Sequence, residues 1–105
     1  MLLPRGVAER VGLWPPPRGA RAESFESPAA TFSMVTVRRA LRVSMAGTRG
    51  PGVLCHAAIS ERETEVVLND RLLGALSIAL IDAGKGLYRI GKSGKLRSSE
   101  RPEHW

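Results

Sequence analysis

The sequence predicts a small single α+β unit: one central helix, a strand ahead of it and a C-terminal hairpin or loop behind it, preceded by a disordered N-terminal arm. Three observations carry that expectation. Ser60–Gly84 opens on a helix-start signal, holds apolar residues at helical spacing and closes on glycine. Phe32–Ala46 alternates apolar and polar residues, the pattern of a strand with one wet face. Met1–Thr31 scatters Arg, Ser, Ala and Pro with no sustained period. The expected organisation is a disordered basic arm over 1–31, the α+β unit over 32–97 and a polar tail over 98–105.

In the arm, Pro15-Pro16-Pro17 suits a short polyproline II segment. Arg5 and Arg10 beside Leu2, Leu3, Val7 and Val11 share features with a mitochondrial presequence, whereas Glu9, Glu23, Glu26 and the proline triplet do not. Met1–Leu3 runs at once into Pro4 and Arg5, so no secretory apolar core is expected.

In Phe32–Ala46, Val35, Val37, Leu41, Val43 and Met45 take odd positions and Thr36, Arg38, Arg42 and Ser44 even ones, with Arg39 the odd-position exception and Ala40 the mild even one; the rival is a helix using Val37, Ala40, Leu41, Ser44 and Met45. β-branched residues at period two favour a strand. On it, Arg38 and Arg42 share a face, read as a solvated face or an anion-binding one. Gly47–Gly52 then breaks the pattern, and Val53–Ile59 is either a second strand or the first turn of the helix.

The expected helix covers about Glu61–Ala83. Ser60 is placed to cap it and Glu63 to reach back to the cap. Leu68, Leu72, Leu76 and Leu80 would line an apolar interaction face. Gly84 would take the left-handed position past its end. The rival division makes Glu65–Leu68 a short strand, Asn69 or Asp70 a new cap and Arg71–Ala83 a shorter helix. The apolar run Leu72–Ile81 is too short for a transmembrane span, which needs roughly 20 residues.

Gly84–Arg97 bears three readings. Gly86–Ser93 matches the phosphate-loop pattern G-x-x-x-x-G-K-[ST], but bulky Leu87, Tyr88, Arg89 and Ile90 fill it and Gly94 interrupts the helix that should follow. Ile90–Lys95 resembles, over about eight residues, the GXXG loop of KH domains, where backbone and lysine approach phosphate; Arg97 and Pro102 depart from that pattern. A plain hairpin puts Leu87–Ile90 in one arm, Gly91–Gly94 in the turn and Lys95–Arg97 in the other. All three leave Lys85, Arg89, Lys92, Lys95 and Arg97 as candidate nucleic-acid or anion-binding residues.

The 105 residues carry a net charge of +6, from 13 Arg and 3 Lys against 10 acids. Met1–Gly52 is net +5, Val53–Gly84 net −3 and Lys85–Trp105 net +4. Basic ends around an acidic middle attract a polyanion or fold back on that middle. A single cysteine, Cys55, excludes an intramolecular disulfide. Cys55-His56 lacks the spaced partners of a metal site, and adjacent strand residues point to opposite faces. No catalytic residue, metal ligand or cofactor is expected, and no enzyme.

The functional expectation is therefore a non-enzymatic accessory protein making weak, sequence-independent contact with RNA or DNA. The alternative is a protein-interaction or self-associating helical element. A further alternative is an open reading frame without selected function, since the absence of Gln and the single Asn also fit a GC-rich gene. An intracellular location is expected, cytoplasmic or nuclear, with the mitochondrion as the other destination.

Overall fold

A computed structural model describes residues 1–26, 28–91 and 94–105, apart from the side chains of Phe25 and Phe32. Among the described residues the chain is mostly β, with seven strands in two sheets. β1 (Leu2–Pro4), α1 (Arg5–Arg10), β2 (Arg21–Glu26), β3 (Thr31–Val43) and β4 (Val53–Ser60) come first. Then follow α2 (Asp70–Ala75), β5 (Ile78–Asp82), β6 (Leu87–Ile90) and β7 (Arg97–Ser98). The larger sheet has the order β1-β4-β3-β2, the smaller β5-β6-β7.

The α+β expectation with one central helix and one strand is thus corrected. β3 falls where alternation predicts it, and its apolar odd positions meet apolar partners: Val35 opposite Ile59, Val37 opposite Ala57, Leu41 opposite Cys55 and Val43 opposite Val53. That ladder draws Val53–Ser60 into a strand. Ser60 is buried and its hydroxyl accepts a bond from the Arg62 N–H at 3.3 Å, the kind of bond expected of a helix cap. Here it closes a turn at the end of β4, because Ser60 is already paired with Pro4 of β1.

The helix begins nine residues later than the Glu61 start expected from the Ser60 signal. Asn69 Oδ1 accepts the Leu72 N–H at 2.8 Å and caps Asp70–Ala75; the rival division anticipated this cap but carried its helix on to Ala83. It ends at Leu76, and Ser77 takes a left-handed φ of 57°. Ile78–Asp82 then runs as a strand, a state that a short apolar run does not reveal by periodicity. Asp82 Oδ1 accepts the Lys85 N–H at 3.0 Å and Gly86 adopts φ 68°, so Asp82–Gly86 is a hairpin turn. Gly84, assigned to the helix end, lies inside that turn.

The disordered arm is the second correction. It supplies β1, α1 and β2. Leu2 exchanges backbone bonds with Val67, at 2.9 and 3.0 Å, while Leu3 pairs with Ile59 in a parallel ladder. Leu3 and Ile59 are each 2% exposed and, with Ala8, Ala57 and Leu72, form the fully buried core. Burying a Leu or Ile side chain contributes roughly 1.5–3 kcal/mol, so Leu3 is among the larger contributors to a small core. Trp105 also returns to the body: its N–H donates to Thr64 O at 2.8 Å and Arg10 stacks on its ring at 4.7 Å.

Along β3 and β4 the register shifts between Val37 and Leu41: three residues of β3, Arg38–Ala40, face the single residue His56. Two extra residues preserve parity, so Leu41 and Val43 stay on the face of Val35 and Val37. Arg39, the exception in the alternation, is the residue the bulge puts aside. Its φ is 48°, a left-handed value that costs a non-glycine about 1–2 kcal/mol. No helix among the described residues is long and apolar enough to cross a membrane.

Candidate anion-binding basin

The two faces of the larger sheet differ in chemistry. Leu3, Val35, Ala57 and Ile59 share one face by register, and Trp14 lies over its edge with Thr31 and Ser33. The other face carries Arg21 opposite Thr36, Thr36 opposite Ala58, and Arg42 opposite Leu54. It is buried at one end, at Pro4 and Ser60, but exposed at Arg21, Arg38, Leu54 and His56, and there it holds a basin of about 360 Å³ lined by Arg21, Thr36, Arg38, His56 and Ala58, with Gly19, Glu23, Ala57 and Met1 completing the wall.

Each side chain on this face is placed for a local reason. Arg21 starts β2 and is set by antiparallel pairing with β3. Arg38 enters the bulge. His56 sits opposite the bulge, and its Nδ1 accepts the Arg39 N–H at 2.7 Å. That bond replaces a ladder partner the bulge removes from Arg39, and it fixes the tautomer: with Nδ1 accepting, the ring proton lies on Nε2. Arg42 is tied to the loop, donating from Nη1 to Pro51 O at 3.2 Å. Thr36 Oγ1 is turned toward Arg21 O at 3.4 Å. Glu23 is the acid in the lining.

Arg5 is engaged elsewhere. Arg5 donates to Glu9 at 3.0 Å and to Glu61 at 2.7 Å, and these bonds, Glu9's first, raise its pKa above the ordinary arginine value. It also lies 5.0 Å from the centre of the Trp14 ring.

The basic residues expected to act together are divided by the pleat. Lys85 lies in the β5–β6 turn, Arg89 in β6, and Lys95 just before β7. Arg97 sits opposite Tyr88 whereas Arg89 sits opposite Ala79. Tyr88 and Arg89 are successive strand residues, so Arg89 and Arg97 project from opposite faces. Lys92 lies outside the described residues, as does Ser93. The phosphate-loop pattern is corrected: Leu87–Ile90 is a strand, and no helix follows Gly94 among the described residues.

The apolar interaction face is dispersed as well. Leu68 precedes the helix, Leu72 is buried in it, Leu76 terminates it, and Leu80 is on β5, 61% exposed. Cys55 pairs with Leu41 on the face opposite His56. No group of three or more His, Cys, Asp or Glu among the described residues is placed to hold a metal ion.

Of the basin, Arg38 was legible, on one strand face with Arg42, which lies outside the lining. Arg21 was hidden by the expectation of a disordered arm, and His56 by its reading as an isolated histidine. The signal for His56 was indirect: Arg39 breaks the alternation, and a bulge needs a partner for its freed N–H. No protein-family model, curated protein or solved structure matches the chain.

Proposed function

We propose that the protein is a non-enzymatic accessory protein that makes weak, sequence-independent contact with RNA or DNA through the arginine-bearing face of its larger sheet. The observation that carries the proposal is the meeting of Arg21, Arg38 and His56 in one basin, with Arg42 on the same face. Strand pairing fixes the backbone that carries these groups, so less backbone ordering entropy is lost on binding than with a flexible basic tail. Phosphate contacts of this kind carry affinity without sequence information. The compartment we assign is cytoplasmic or nuclear, with the mitochondrion the alternative.

Three arginines on three phosphates of a single strand give a salt slope near 2, so affinity falls roughly 20-fold between about 50 and 200 mM salt. Fluorescence anisotropy with a mixed-sequence single-stranded RNA measures this directly. Arg21→Glu with Arg38→Glu should remove most of the binding. No binding even at low salt, or binding indifferent to both substitutions, refutes the proposal.

A second reading, self-association, is favoured by β5, an edge strand with Leu80 61% and Ile81 50% exposed. The surface moves from the expected helix to a sheet edge, where unpaired backbone groups invite another strand. A monomer at all concentrations in sedimentation removes this reading; a dimer that Leu80→Lys dissociates supports it.

A further inference from the structure

We propose that the basin beneath the β3 bulge is a seat for one nucleoside 5′-phosphate, either free or as the phosphorylated end of a strand; this rests on the reading of the arginine-bearing face as a phosphate-contacting surface. Size argues for a nucleotide over a bare phosphate, and two further features supply the phosphate contacts. At about 360 Å³ the basin is of small-ligand size, and Gly19 and Ala58 leave its depth free of long side chains. Arg21 and Arg38 supply cationic forks that match phosphate oxygens. His56, with Nδ1 occupied by the Arg39 N–H, lines the basin and carries a ring N–H donor on Nε2.

Glu23 sharpens the class. A carboxylate in an anion seat opposes bare phosphate by repulsion, but it accepts hydrogen bonds from sugar hydroxyls. A ligand bearing both a phosphate and hydroxyl donors uses both the cations and the carboxylate of the lining. The bulge is the device that makes this possible: it sets Arg38 opposite His56, and one imidazole both accepts the Arg39 N–H and lines the basin. Strained backbone held by a side chain that also faces a cavity is the arrangement in which strain accompanies a site.

The test is an NMR titration of the intact chain with adenosine 5′-monophosphate, adenosine and inorganic phosphate. A pair of oligonucleotides of one sequence, one 5′-phosphorylated and one 5′-hydroxyl, separates the two sources of the ligand. The monophosphate should shift the amides of Arg21, Thr36, Arg38 and Ala58, adenosine should not, and inorganic phosphate should bind about tenfold more weakly. Arg38→Ala should lower monophosphate affinity about tenfold, as expected for one charge-assisted contact, with the remaining spectrum unchanged as the control for folding. Glu23→Gln should narrow the preference for the monophosphate over inorganic phosphate. If the monophosphate shifts no basin amide while the mixed RNA still binds in a salt-dependent way, the seat is refuted and the broader surface stands. If neither binds, both fall.

Discussion

Replacing His56 by Ala tests the joint on which the basin depends. The substitution removes the acceptor of the 2.7 Å bond from the Arg39 N–H. A hydrogen bond of this kind contributes about 0.5–1.5 kcal/mol net. Because His56 is exposed, water can reach the freed N–H, which places the loss near 1 kcal/mol. For a domain of this size that corresponds to a fall of about 4–8 °C in melting temperature. Arg39→Gly offers the complementary change: glycine adopts φ 48° without the Cβ penalty, so the bulge no longer depends on its imidazole cap. In the double-mutant cycle, His56→Ala should therefore cost less by about 0.5 kcal/mol or more in the Arg39→Gly background. Urea unfolding gives the energies, and hydrogen exchange at the Arg39 amide reports the bond itself. Strictly additive effects, with unchanged exchange at Arg39, would refute the account of the bulge.

Three further outcomes follow from the fold. Leu3→Ala should cost about 2–5 kcal/mol, since Leu3 is 2% exposed in the core; a loss below about 1 kcal/mol in urea unfolding would mean that β1 does not dock. Asn69→Ala should cost about 1 kcal/mol by removing the cap on Leu72 N–H; under the continuous-helix expectation it would be close to neutral, so the same melt distinguishes the two. Gly86→Ala should destabilise the β6–β7 pairing, because φ 68° disfavours a side chain and a Cβ there meets the Ser99 side chain. Selective loss of amide protection at Ser98 and Ser99 is the expected signature, and unaltered protection would count against the described turn.

The sequence by itself determined what depends on short-range chemistry. The alternation of Val35, Val37, Leu41 and Val43 marked β3, and Leu87–Ile90 was legible as a hairpin arm; Arg39 stood out as an exception, but only the pairing with β4 showed it to be a bulge. Asn69 was readable as a cap, though as the rival to Ser60. Tertiary structure decided the rest. Ser60 makes a bond that also suits a helix cap, and Ile78–Asp82 suits a helix by composition; strand pairing with β1, β3 and β6 assigned them otherwise. Met1–Thr31 has no internal period, because β1 and β2 are specified by their partners across the sheet. The basin belongs to this second kind: Arg21, Arg38 and His56 meet only when β2, β3 and β4 lie side by side. Hydrogen bonds within one turn or strand pattern are local and readable. The ladder that joins residues 21, 36 and 58 depends on closing long loops, a free-energy balance that no window of sequence contains.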